Sequence, residues 1–331
     1  MNRVRVAIVG ATGYTGAELV RILARHPGAE LVAVTSERLD GQPLATGAAW
    51  LPSELTLQKY DPRAISADVV FLAQESGFAR EAAPEWAGRS VIIDLSADFR
   101  LVDDATRQSA YGHGPLPDVG PIAYGLPELV PHAEIAQAAL IANPGCHVTA
   151  AALATVPFQR AGHLLETPVI VSQTGVSGAG RAKRDPAYTF SELAEATSAY
   201  GVVGHRHVPE LEQVLGRAVR FTPVLVPMTR GMLSVCQFRC DTPDALVPTL
   251  RDAYADSPFV RLVESPPSTK QVRGTNRADL YATFDARTGH AVVLCAIDNL
   301  GKGAAGQAVQ NFNLRFGFPE ATGLPMEAVW P

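Results

Sequence analysis

The sequence predicts an α/β chain: a doubly wound, mostly parallel nucleotide-binding sheet, followed by an α+β domain. Three observations carry that prediction. An apolar, β-branched run from Val4 to Val9 ends on the glycine turn GATGYTG at 10–16, and helical sequence follows from Ala17 to Arg25, stopping at His26-Pro27-Gly28. Further strand-like runs, Glu30 to Thr35, Asp68 to Ala73 and Ser90 to Leu95, alternate with helical or irregular sequence, as in βαβ units. Beyond residue 150, strands follow one another in antiparallel style with few helices between them: Val169 to Gln173, Phe221 to Val226, Leu233 to Arg239, Leu280 to Phe284 and Val292 to Ile297. The expected division is 1–145 for the nucleotide-binding domain, completed by a C-terminal segment 300–331, and 146–299 for a catalytic and oligomerisation domain.

The first turn has the context of a Rossmann dinucleotide fingerprint, although Gly10, Gly13 and Gly16 fall three apart and depart from the G-x-G-x-x-G spacing. A pyrophosphate needs backbone amides at a helix N-terminus, and Thr12 and Thr15 add hydroxyl donors. A plain glycine turn between strand and helix is the competing reading. About twenty residues on, Ser36-Glu37-Arg38 offers a hydroxyl and a guanidinium, which suit the 2′-phosphate of NADP. Glu37 opposes that reading if it points inward. After the strand at Val91 comes DLSADFR, whose Arg100 is a candidate phosphate clamp. Residues 103–133, rich in Gly and Pro, read as an irregular excursion with Tyr124 to Glu128 its most ordered part.

Ala139 to Ala142 leads into Asn143-Pro144-Gly145-Cys146 and an alanine-rich apolar run to about Phe158. Pro144 fixes its own φ and extends Asn143, while Gly145 permits a turn other residues resist, so the thiol stands at the mouth of a helix. A thiol near pKa 8.5 needs about 2 kcal/mol of differential stabilisation to reach about 7. A helix N-terminus supplies about 0.3 to 1 kcal/mol, so a further group, most naturally a histidine, has to supply the rest. A small packed core residue is the alternative for Cys146. Further on, the loop Thr174 to Arg181 offers amides to a ligand, and Tyr200 to Glu210 packs His205, Arg206, His207 and Glu210 into six residues; a solvated loop before a helix near Pro209 is the alternative there. Asp298 to Gly303 and then Ala304 to Phe316 read as a glycine-hinged amphipathic helix returning to the nucleotide domain.

The bulk numbers exclude several classes. With 331 residues and 47% hydrophobic content the chain buries a large core, and a formal charge of −5 leaves no basic footprint for nucleic acid. No apolar run reaches membrane-spanning length, and no secretory hydrophobic region follows Met1, so a cytoplasmic protein is expected. Four cysteines are too few for a disulfide framework; Cys236 and Cys240 share a strand face, Cys295 lies in an apolar run, and no neighbouring ligands complete a metal set.

GATGYTG, DLSADFR, NPGC, GVSGAGR, GHRHVPE and DNLGKGAAGQAVQN occur in that order. On these motifs the chain, from Val4 to about Gly317, resembles the N-acetyl-γ-glutamyl-phosphate reductases of arginine biosynthesis, a family related to aspartate-semialdehyde dehydrogenase. The resemblance implies an NADPH-dependent reduction of an acyl phosphate through a cysteine thioester, and a homodimer or homotetramer. It implies Cys146 as nucleophile and His205 as acid/base, with His207 the rival for that role. It places Ser96, Arg100, Asn143, Tyr200, His207 and Glu210 at the substrate. NADP(H) would be held by Gly10, Thr12, Gly13, Tyr14, Thr15, Gly16, Ser36, Arg38, Ser177, Gly178 and Asn299. Two positions depart from the family pattern: His147 follows the cysteine where tyrosine or asparagine is more usual, and Gln74-Glu75-Ser76 replaces a Pro-His-Gly turn. A related activity, reduction of an aminoadipyl or glutamyl phosphate carried on an acidic carrier protein, shares SADFR and GHRH. A non-catalytic nucleotide sensor is the reading from another class, opposed by the presence of both Cys146 and His205.

Overall fold

The computed structural model describes residues 3–52 and 54–329, and divides into two compact units. The first contains the residues up to Pro144 together with Ala304–Leu324; the second runs from Gly145 to Gly303 and takes in the residues from Pro325 on.

In the first unit the chain order is β1 (Val4–Val9), α1 (Tyr14–Leu23), β2 (Ala29–Thr35), the single turn α2 (Leu44–Gly47), β3 (Leu57–Gln58), β4 (Val69–Leu72), α3 (Phe78–Trp86), β5 (Val91–Asp94), α4 (Asp104–Tyr111), β6 (Ile122–Tyr124), α5 (His132–Gln137) and β7 (Leu140–Ala142). The sheet order is β3-β2-β1-β4-β5-β7-β6, and every pair is parallel. Such a sheet needs apolar side chains on both faces, which is why VVFL and VIID are buried throughout. Strand order reverses beside β1, so the loop leaving its carboxyl end lies at the switch point where open α/β sheets take ligands.

That loop uses its glycines for different reasons. Gly10 has φ +86°, a left-handed turn that suits glycine, and a Cβ on Gly16 would stand 2.1 Å from the Gly10 carbonyl oxygen. Gly13 has an ordinary extended backbone and meets only that same oxygen, at 3.5 Å, leaving its outer side open.

Residues 103–133 are more ordered than their composition predicts. Asp103 caps α4 by accepting from the Thr106 N–H at 2.7 Å, and left-handed Gly112 ends it. Its only buried side chain is Arg107, which donates to the carbonyls of Leu101 and Val102. A helix anchored by one buried arginine has no apolar stripe for periodicity to detect.

The second unit holds α6 (Cys146–Arg160), β8 (Val169–Thr174), α7 (Phe190–Leu193), β9 (Ser198–Ala199), α8 (Val208–Leu215), β10 (Arg220–Leu225), β11 (Met232–Arg239), α9 (Leu246–Ala253), β12 (Val260–Leu262), β13 (Ala278–Asp285) and β14 (His290–Ile297). Its sheet order is β12-β13-β14-β11-β8-β10-β9. The sheet is mixed where antiparallel-style strands were expected: β8 with β10 and β12 with β13 are parallel. A helix-bearing connection lies between each parallel pair, α7 and α8 in one case and a short 3-10 turn in the other. Helix α6 is buried from His147 to Phe158, which fits its all-round apolar sequence, and it packs on β11 and β14 with α8 and α9 beside it.

After β14, Gly301–Ala305 forms a widened π-helical turn, and α10 (Gly306–Arg315) follows in the first unit, packed on α1 and α5. Among the described residues no helix is long and apolar enough to cross a membrane.

Candidate active site

Cys146 is the first residue of α6, with Gly145 as N-cap and no acidic residue in the first turn. Gly145 departs from expectation in an instructive way. Its torsions, φ −68° and ψ 143°, are open to any residue, so the turn itself does not demand glycine. Packing does: a Cβ there would stand 2.5 Å from Nε2 of His207. The glycine is the floor on which the imidazole rests. Gly145→Ala should therefore cost about 1 to 3 kcal/mol of stability through overpacking and lower kcat as the ring is pushed aside. Thermal unfolding and steady-state rates check this, and an alanine variant matching the parent in both would show that the ring does not need the space.

The segment before α8 supplies the other groups. The His207 N–H donates to Nδ1 of His205 at 3.2 Å, and the Val208 N–H to the His205 carbonyl at 2.9 Å, so the HRH turn folds on itself. Buried Glu210, in the first turn of α8, accepts the Gly145 N–H at 2.9 Å and ties that turn to the mouth of α6. A neutral His205 whose Nδ1 accepts carries its proton on Nε2, which sets this ring as a donor.

Cys146, His147, Tyr200, His205, Arg206 and His207 line one cavity of about 270 Å³, together with Lys183, Tyr188 and Gly178. Burial, then the nearby His205 and Arg206, pushes His147 down to about 3; burial and Arg206 push His205 down to about 4. Burial raises Tyr200 above the usual phenol, and a charged Cys146 raises it further. At neutral pH both rings are therefore uncharged, and the fixed positive charges of the cavity are Arg206 and Lys183. That arrangement suits an anionic substrate. A larger cavity, about 570 Å³ among Val247, Leu250, Tyr254 and Leu280, contains neither cysteine nor histidine.

One ring nitrogen from each of His147, His205 and His207 lies within 4.8 Å of the others, the spacing of a metal-binding group. Both nitrogens of His147 are engaged in hydrogen bonds, so a cation bound to that ring would displace one of them. Cys236 is buried in β11 with its thiol pushed up by desolvation, and no such group among the described residues includes it or Cys240.

The other predicted site residues divide between the units. In the first, Arg100 is buried and donates to the carbonyls of Asn143 at 2.8 Å and Leu95 at 2.9 Å; two of its donors hold backbone. Asn143 donates to the Ala304 carbonyl and accepts from Asn311, while Ser96 bonds the buried carboxyl of Asp94. Desolvation lifts Asp94 to about 7, against the bonds from Ser96. In the second unit, Asn299 donates to Ser177 Oγ at 2.9 Å and accepts from the Gly231 N–H at 2.8 Å.

The glycine turn fits a dinucleotide phosphate. The N-terminus of α1 has no side-chain cap and no acidic residue in its first turn, and Gly13 is open outward. Thr12 Oγ1 lies 3.3 Å from buried Ser36 Oγ. Glu37 accepts from the Tyr60 N–H at 3.2 Å, so its carboxylate is engaged with backbone, and Arg38 is exposed beside it. Lys183, Tyr188, Ser172 and Ser234 escaped the sequence reading. Lys183 follows the glycine loop directly and was visible as charge, whereas two serines inside strands give no signal.

Comparison with known proteins agrees with this geometry. Residues 5–138 match the family model for the semialdehyde dehydrogenase NAD binding domain, and residues 146–299 that for the semialdehyde dehydrogenase dimerisation domain. An N-acetyl-gamma-glutamyl-phosphate reductase of Pelotomaculum thermopropionicum is 46% identical, covering 99% of each chain, and that of Brevibacillus brevis is 43% identical, covering 99% of this chain and all of the relative. Among solved structures, aspartate semialdehyde dehydrogenase II of Vibrio cholerae superposes with a TM-score of 0.72 at 20% identity over 96% of this chain and 99% of that one. The enzyme from Candida albicans, solved with NADP, gives 0.69 at 15% over 95% and 98%. Likeness at those identities speaks for the fold, and the near full-length relatives settle the rest: the chain belongs to the semialdehyde dehydrogenase family, among its N-acetyl-gamma-glutamyl-phosphate reductases.

Proposed function

We propose that the protein reduces N-acetyl-γ-glutamyl phosphate to N-acetylglutamate 5-semialdehyde and phosphate with NADPH, in arginine biosynthesis. The observation that carries this is the thiol of Cys146 at the mouth of α6, in a cavity shared with His205 and two fixed cations. The Cys146 thiolate attacks the γ-carbonyl, and the tetrahedral oxyanion expels phosphate to leave a thioester. NADPH, when bound, supplies the hydride. The thiohemiacetal oxyanion on Cys146 then expels the sulfur as thiolate and releases the semialdehyde. His205 donates from Nε2 to the oxygen that gains charge in both halves. Lys183 and Arg206 draw in the phosphate and carboxylate of the substrate.

Tyr200, His207 and Glu210 belong to the substrate side of this reading, His207 and Glu210 by fixing the turn that carries His205. Ser96, Arg100 and Asn143 are proposed substrate residues, with Arg100 for the acyl phosphate, and Arg100 and Asn143 also brace the Asn143-Pro144 segment before the cysteine. Gly10, Thr12, Gly13, Tyr14, Thr15, Gly16, Ser36 and Arg38 would hold the phosphates and ribose of NADP(H), and Ser177, Gly178 and Asn299 are further proposed cofactor residues. The expected domains, 1–145 with 300–331 and 146–299, a homo-oligomer and a cytoplasmic location are part of the same reading. The test follows NADP+ reduction by N-acetylglutamate semialdehyde with inorganic phosphate, beside the same assay on a carrier-linked semialdehyde. Turnover of the free compound is expected; activity confined to the carrier-linked one would overturn this assignment.

A further inference from the structure

His147 has no part in the reaction as described, yet it is the most thoroughly hydrogen-bonded ring of the cavity. Its Nδ1 lies 2.7 Å from Ser172 Oγ, and Ser172 Oγ lies 2.8 Å from Ser234 Oγ. Its Nε2 lies 2.9 Å from the Tyr200 hydroxyl. Ser172 and Ser234 are direct partners across β8 and β11 and are wholly buried, and His147 is only 2% exposed. Apolar side chains would fill this place without the cost of burying three polar groups. The chain Ser234–Ser172–His147–Tyr200 runs from the sheet interior to the cavity that holds Cys146.

We propose that Tyr200 is a further hydrogen-bond donor to the reacting oxygen and that His147 is its positioning residue, its Nε2–H holding the phenol oxygen so that the phenol proton points into the cavity. The proposal rests on the thioester reaction given above. Every bond in the chain joins groups that both donate and accept. In one arrangement Ser234 donates to Ser172, Ser172 to Nδ1, and Nε2–H to the phenol oxygen, so the Tyr200 proton points into the cavity. In the other, Tyr200 donates to Nε2, Nδ1–H to Ser172, and Ser172 to Ser234, so Tyr200 offers a lone pair. Each arrangement by itself leaves every group neutral, which the burial of His147 requires. The first is the one that meets an oxyanion.

The test compares Tyr200→Phe, His147→Phe and the double variant with the parent, each with NADPH and N-acetyl-γ-glutamyl phosphate. Tyr200→Phe should lower kcat about 100-fold, the loss for one oxyanion donor. His147→Phe should lower kcat about 10- to 100-fold with KM little changed, the range for removing an orienting partner. The double variant should be no slower than Tyr200→Phe, since His147 acts only through the phenol. Losses that multiply, or a Tyr200→Phe enzyme as fast as the parent, would overturn the proposal. An inactive parent would instead refute the assigned reaction. Should His147→Phe fail to fold, long-range ¹⁵N–¹H spectra of the histidine-labelled holoenzyme decide the matter: the His147 proton should reside on Nε2. A doubly protonated ring at neutral pH, or a proton on Nδ1, would overturn the proposal.

Discussion

Cys146→Ser should abolish acyl-phosphate reduction, by about 10³-fold or more, while leaving the affinity for NADPH nearly unchanged. The size of the effect follows from the environment of the sulfur. About 2 kcal/mol is needed to bring a thiol from about 8.5 to about 7, and a helix N-terminus gives at most about 1. A histidine was expected to supply the rest. Burial holds His147 and His205 neutral, so neither of these rings supplies it, whereas Arg206 and Lys183 line the cavity as cations. Arg206 helps to lower His147 and His205 and opposes the rise of Tyr200, the mark of a positive field that equally favours a thiolate. A serine in the same field stays protonated, and no other thiol can substitute. Cys236 is pushed up by burial, and Cys240 and Cys295 are buried too. Single-turnover oxidation of NADPH measures the first effect, fluorescence titration of NADPH the second, and peptide mapping after brief alkylation should find label on Cys146 alone. A serine enzyme retaining about a tenth of parental turnover would exclude the covalent route.

Much of the first unit was legible because its signals are local. An apolar run, a glycine turn and a helix in sequence define β1, its loop and α1, and the parallel order of the sheet follows from alternating elements. What escaped depends on partners distant in sequence. Helix α4 hangs on one buried arginine, and the parallel pairing of β8 with β10 is fixed by the path of the chain between them. The site divides in the same way. The NPGC and HRH segments announce themselves by residue type, whereas the reason for Gly145 is the ring of His207, sixty-two residues away by number. Ser172 and Ser234 look like any strand serines until β8 and β11 set them opposite each other beneath His147. His147 itself was noticed only as a departure from the family pattern; its two hydrogen bonds turn that departure into a structural feature.

His205 is the second large effect, and its substitutions separate acid from base. Replacement by phenylalanine should lower kcat by about 10²- to 10⁴-fold, the range for a positioned proton-transfer group. In the folded turn the His207 N–H points at Nδ1, so the ring proton resides on Nε2 and the cavity receives a donor. His205→Gln, whose amide keeps an N–H donor but no basic nitrogen, should then recover part of the lost rate; a base at this position would leave glutamine as inactive as phenylalanine. The pH dependence carries the same information. An ordinary imidazole titrates near 6.5, but burial and then Arg206 hold His205 to about 4, so its ring resonances should show no midpoint near 6.5. The sign for stability follows from which state takes up the proton first. The unfolded chain protonates this histidine as pH falls through about 6.5, the native state only near 4, so this group lowers stability progressively across that window and has no effect above it. Chemical unfolding of the parent and of His205→Gln at several pH values should therefore converge in neutral solution and diverge in acid, with the glutamine variant losing less. A His205 that titrates at its ordinary value, together with a glutamine variant of no activity, would return the ring to the role of base.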